Sequence, residues 1–76
     1  MEKEILCLKK DKFTTKDNRV IYRLHLWVDD GIVDYCICNV DENIYNYADD
    51  MSKFNIAYDL NVFNKQVYGI KNIRLV

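Results

Sequence analysis

Two runs of alternating residues, on either side of Asp29-Asp30-Gly31, restrict this chain more than any other feature. Residues 20–28 and 32–39 each repeat with a period of two, the spacing at which side chains of an extended strand share a face. Asp-Gly favours a two-residue turn, because both positions tolerate positive φ. With Asp30-Gly31 at the corner, Val28 falls opposite Val33, Leu26 opposite Tyr35, Leu24 opposite Ile37 and Tyr22 opposite Asn39. One face of this hairpin holds Tyr22, Leu24, Leu26, Val28, Val33, Tyr35 and Ile37, which predicts a core face. A slip of one residue would turn every side chain over. The opposite face carries Arg19, Ile21, Arg23, His25 and Trp27, across from Asp34, Cys36 and Cys38.

Other strands flank this pair. Residues 4–9 form a first strand that is apolar on both faces through Ile5, Leu6, Cys7 and Leu8. Residues 10–18 (KDKFTTKDN) are polar and turn-rich apart from Phe13, and read as a loop or the tips of two strands. Between residues 39 and 54 the period changes. Ile44, Tyr47, Ala48 and Met51, completed by Phe54 or Asn55, predict an amphipathic helix of about three turns. Asn39 and Glu42 have capping-box spacing and Asp41 is another cap; Asp41 and Glu42 at the start and Lys53 at the end suit the dipole.

Alternation then returns. Ile56, Tyr58, Leu60 and Val62 line one face, Asn64-Lys65-Gln66 makes a turn, and residues 67–76 form the last strand. Gly69 marks a bulge that moves the inward positions from Tyr68 to Ile70, Ile73 and Leu75. The expectation is one mainly β domain over residues 1–76, ordered β-β-β-α-β-β.

Composition bounds the function. A chain of 76 residues buries only about 60% of its unfolded surface. Half of the residues are hydrophobic and supply a core, while the absence of Pro and the presence of only two Gly exclude a linker or disordered tail. No apolar run reaches the roughly 18 residues of a membrane span, and the first twelve residues lack a signal peptide's apolar centre. A soluble, cytoplasmic chain that avoids membranes is expected.

Cys7, Cys36 and Cys38 read as reduced, apolar side chains; Cys36 and Cys38 share a strand face but are splayed too far for an easy bridge. His25 is the sole histidine, too few for a zinc set, so neither metal nor cofactor is expected. No triad, phosphate loop or nucleophile motif is present, and Asp29-Asp30 and Asp49-Asp50 read as solvated acids. The chain is expected not to be an enzyme.

The net charge of −1 conceals an asymmetry. Residues 1–27 carry seven bases against four acids, residues 28–59 carry eight acids against Lys53, and residues 60–76 carry three bases and no acid. The local balances are therefore +3, −7 and +3.

Three strands, a helix and a hairpin resemble the OB-fold, a five-stranded Greek-key barrel whose helix joins strands three and four. The resemblance spans the whole chain and rests on element order and patterning, with no short signature. A β-grasp domain has two strands before its helix, and an Sm-like barrel begins with one. The chain is most similar to small single-domain versions from phages and mobile elements, which often bind single-stranded DNA.

The resemblance implies a ligand face across strands two and three, framed by the first and last loops. Carried onto this chain, that face is Arg19, Arg23, His25 and Trp27, with Lys10, Lys12, Phe13 and Lys16 from the first loop and Lys65 from the last. Bases would stack on Trp27 and Phe13, with phosphates on the lysines and Arg19, giving weak sequence preference and strong salt dependence for DNA or RNA. The structural alternatives are packing of Trp27 under the first loop or in a dimer interface, packing of Phe13 in the barrel end, an ordinary strand-surface place for His25, and lysines that only solvate a loop. The competing class is a protein-interaction module whose acidic helix (Asp41, Glu42, Asp49, Asp50) engages a host or replication protein. Outward-facing Ile21, Cys36, Cys38 and Phe63 would suit a homodimer.

Overall fold

The computed structural model describes the whole chain, Met1–Val76. Its elements are β1 (Glu2–Thr14), β2 (Val20–Trp27), β3 (Tyr35–Val40), α1 (Glu42–Tyr47), β4 (Ser52–Phe63) and β5 (Gln66–Leu75). All ladders are antiparallel, in the order β3-β2-β1-β4-β5. The outer strands β3 and β5 then come back together, so the sheet curls into a nearly closed barrel. The expected fold class and element order are both present. No helix is long and apolar enough to cross a membrane.

The strand β1 is longer than its apolar run. It pairs with β4 through its first half and with β2 from Leu6 to Thr14. Lys10, Lys12 and Phe13 therefore belong to a strand, and only a tight turn around Thr15–Arg19 remains as loop. A bulge between Cys7 and Lys9 lets one strand serve both neighbours.

The β2–β3 connection departs from expectation by one residue, with large consequences. Leu26 lies opposite Cys36 and Leu24 opposite Cys38, not opposite Tyr35 and Ile37. Asp30 is no simple turn corner. Its carboxylate accepts hydrogen bonds from the Ile32 N–H (2.9 Å) and Val33 N–H (2.7 Å), and also from the Tyr58 hydroxyl. Asp29 (φ 55°) and Gly31 (φ 83°) take left-handed conformations around it. The extra loop residue leaves β2 as expected, with Leu24, Leu26 and Val28 buried, but inverts β3. Cys36 and Cys38 face inward, while Tyr35 and Ile37 are exposed.

Packing explains that choice. A Cβ at Gly69 on β5 would lie 3.4 Å from Cys36 Cβ, so β3 and β5 approach closely here, and the register that turns Cys36 and Cys38 inward sets small side chains at that approach. The outward-cysteine surface expected of a dimer is absent: Cys36 and Cys38 are core, although Phe63 is exposed.

The helix is also shorter than its periodicity suggests. Asp41 is the N-cap, accepting from the Ile44 N–H (2.9 Å), and the helix ends at Tyr47. Met51 (φ 59°) breaks the pattern beside a turn closed by Asp49 and Ser52. Phe54 is buried from β4 rather than from a helix, with its ring edge-on to exposed Tyr47 at 5.5 Å. Tyr22, expected in the core, is half-buried against Tyr45, 4.9 Å away.

In β4, Ile56 and Tyr58 are fully buried, whereas Val62 has left the core. Asn64 and Lys65 both have positive φ, as a two-residue hairpin with matching twist requires. The expected bulge is present: the register shifts across Tyr68, which is exposed, and Ile70 turns inward. Ile73 is half-buried and Leu75 exposed.

Candidate nucleic-acid interface

In antiparallel strands, directly opposed residues share a face. The pairs Phe13–Ile21, Asp11–Arg23, Lys9–His25 and Leu6–Trp27 therefore join β1 to β2 on the outside of the barrel. Arg23–Asn39, His25–Ile37 and Trp27–Tyr35 extend the same face to β3. Leu6 also pairs with Lys53 on β4, so Tyr35, Trp27, Leu6 and Lys53 form one row across four strands.

Apolar groups on this face remain open to water. Trp27 is 43% exposed, Tyr35 46%, Ile37 50% and Phe13 45%. Beside Trp27 runs an open groove of about 460 Å³, with Lys3, Glu4, Leu6 and Lys53 among its lining residues. The groove is half apolar, through Ile5, Leu6, Trp27 and Val28, and its charged lining sets Lys3 and Lys53 against Glu4 and Asp29, so the exposed indole is its stacking surface and the two ammonium groups are its only cations.

A polar network crosses the middle of the face. Asp11 takes both ends of the Arg23 guanidinium, from Nε at 2.8 Å and Nη2 at 2.9 Å. Its Oδ2 also lies 3.2 Å from His25 Nε2, and His25 Nδ1 lies 2.7 Å from the Tyr35 hydroxyl. His25 is buried beneath these partners. With Nε2–H donating to Asp11, the Tyr35 hydroxyl donates to Nδ1, and every group in the chain is satisfied. Hydrogen bonds from Arg23, then from His25, lower the Asp11 carboxyl to a pKa of about 2. The Arg23 guanidinium sits 5.0 Å from the Phe13 ring centre, which adds a cation–π contact.

The residues expected at the site are not all brought together. Trp27, His25, Arg23 and Phe13 share the face, although Arg23 is already held by Asp11 and His25 is covered. Lys10 and Lys12 oppose Leu24 and Tyr22, and so lie on the other side of β1. Lys10 Nζ donates to the Tyr45 carbonyl (2.9 Å) and sits over the Tyr45 ring, while its N–H donates to Asp50. Lys16 and Arg19 are exposed in the β1–β2 turn, with Arg19 paired to Asp17 at 3.0 Å. Lys65 is exposed in the β4–β5 turn, at the opposite end of the strands from Lys16.

Sequence reasoning missed Tyr35, Lys9, Lys53 and Asp11. The two-residue turn predicts Tyr35 inward, and the helical period places Lys53 at a helix end, whereas the structure puts both on the outer face. The signal for Asp11 was its place opposite Arg23 once Thr15–Asn18 is recognised as the turn.

Of the acidic set, Asp41 is spent on the helix cap and Asp50 on Lys10, while the carboxylates of Glu42 and Asp49 stay exposed. No cluster of three or more His, Cys, Asp or Glu is placed to hold a metal ion. Comparison with protein-family models, with curated proteins and with solved structures finds no match for this chain.

Proposed function

We propose that the outer face of β1, β2 and β3 binds single-stranded nucleic acid without chemistry, DNA being the first candidate. The observation that carries this reading is the Trp27–Tyr35 pair, directly opposed and each close to half exposed, with Lys9 and Lys53 on the same face. Bases stack on the two rings, each stack contributing about 1–3 kcal/mol. Lys9 and Lys53 neutralise phosphates. Every base has a π-face, so sequence preference is weak. The OB-like strand order supports the reading, since such barrels place ligands across strands two and three.

A second reading, a protein-binding module, draws on the exposed carboxylates of Glu42 and Asp49 beside exposed Tyr47. Titration with oligothymidylate separates the two. Quenching of Trp27 emission that weakens with salt is expected, and Trp27→Ala, followed by the anisotropy of a fluorescein-labelled oligothymidylate, is expected to bind more weakly; no quenching and no anisotropy change at micromolar protein and low salt moves the assignment to the protein partner.

A further inference from the structure

Cys36 and Cys38 are adjacent inward positions of β3, with their Sγ atoms 3.5 Å apart and both side chains buried. They line the one seam of the barrel that has no backbone ladder. β3 is hydrogen-bonded to β2 on one side only, and β5 to β4 on one side only. Across the seam the contacts are between side chain and backbone: Cys36 packs on Gly69, and Cys38 Sγ lies 3.7 Å from the Ile70 carbonyl. Cys36 and Cys38 are 6% and 5% exposed with the seam shut, and a strand held along one margin only is the part of the barrel whose local opening uncovers them at the least cost in backbone hydrogen bonds.

We propose that Cys36 and Cys38 form a reversible disulfide site that takes oxidising equivalents from a low-molecular-weight disulfide, and that its closure draws in β3 beneath the outward residues Tyr35 and Ile37. The Cys36 sulfur attacks one sulfur of the reagent and forms a mixed disulfide; the departing thiolate carries away the Cys36 proton. Cys38 then attacks the Cys36 sulfur and expels the second thiolate, which takes the Cys38 proton. Two protein thiols lose two electrons in all, and one disulfide becomes two thiols. The Sγ–Sγ contact brings the Cys36 thiol below its ordinary pKa and, with burial, pushes Cys38 up, so Cys36 is the first attacking sulfur and Cys38 the resolving one, released from that contact once Cys36 is in the mixed disulfide.

Strand geometry makes the bridge labile. At about 3.2–3.4 Å per residue, positions i and i+2 stand roughly 6.4–6.8 Å apart. That is the wide limit of the about 4.4–6.8 Å usual between bridged Cα atoms. Closure strains β3, and strained disulfides are the readily reduced ones. Ile37 lies between the two cysteines, and Tyr35 precedes them with its hydroxyl on His25, so the pucker is felt on the outer face.

The test treats the full chain with glutathione disulfide, alkylates the remaining thiols and maps peptides without reduction. The expected product has Cys36 bridged to Cys38 and Cys7 alkylated. Dithiothreitol restores all three thiols, and the emission of Trp27 in the free protein shifts on bridging and returns on reduction. Cys7→Ala, which retains the pair, bridges as the parent does. Three alkylated thiols after oxidation, or a bridge to Cys7, overturn the site; a bridge that leaves Trp27 emission unmoved overturns its link to the outer face. No nucleic acid enters these measurements, so their failure is separate from failure of the proposed function.

Discussion

Asp11 holds Arg23 through both carboxylate oxygens, at 2.8 and 2.9 Å, across the β1–β2 ladder. The pair turns the most prominent cation of the outer face into a fixed, internally neutralised element. It also orders the Phe13 ring below and His25 beside it.

The Asp11 carboxyl is expected to titrate near pH 2, and in Arg23→Ala its midpoint should rise toward the ordinary value of about 3.9. Its folded-state pKa is depressed, so the stability it contributes is present above about pH 4 and is lost as pH falls through about 2. Carboxyl ¹³C chemical shifts followed against pH measure both midpoints. An unchanged midpoint in Arg23→Ala would refute the pairing.

Phosphate contacts should follow the observed face. Lys9→Ala and Lys53→Ala are each expected to lower the slope of log affinity against log salt by about 0.7 for a single strand. Lys10→Ala should leave that slope alone, because Lys10 Nζ is bound to the Tyr45 carbonyl on the other side of β1. Fluorescence titrations of oligothymidylate at several salt concentrations decide between these positions.

Tyr58 ties β4 to the β2–β3 loop, its hydroxyl donating to Asp30 from a fully buried ring. Burial, then the bond to Asp30, pushes its pKa up to about 12. Tyr58→Phe keeps the packing and removes the bond, at an expected cost of about 1–2 kcal/mol in urea unfolding. A stability equal to that of the parent would mean that Asp30 is anchored by the Ile32 and Val33 N–H groups alone.

Gly69 combines a φ of 156° with a 3.4 Å approach of its would-be Cβ to Cys36 Cβ. Gly69→Ala is expected to cost about 1–3 kcal/mol through backbone strain and crowding at the seam. Thermal unfolding monitored by circular dichroism gives the comparison. Gly31→Ala, strained in backbone but facing open space, isolates the conformational part.

Much of the barrel was legible because strand alternation reports burial directly. Leu24, Leu26 and Val28 lie inward as their period demands, and the bulge before Gly69 turns Ile70 inward as anticipated, although Leu75, expected inward with it, is exposed. The inversion of β3 was not legible. Tyr35 and Ile37 are as apolar as Cys36 and Cys38, so hydropathy supports either register. The decision lies in the Asp30 hydrogen bonds and in the narrow seam beside Gly69. The helix was overextended because Met51 and Phe54 continue a period of three to four by coincidence, one in a turn and the other in a strand. Trp27 was recognised at the site because it opposes no core position in either register. Lys53 and Tyr35 were missed because each depended on a boundary set by tertiary contacts.

The open seam gives this barrel a clasp. Elsewhere each strand is fastened to its neighbours by rows of amide bonds, but here the ring is shut by two thiols, a glycine and an isoleucine. Amide protons on the facing margins of β3 and β5 should exchange with deuterium ahead of those on β1, and the same margins offer the easiest place for one copy to lend a strand to another.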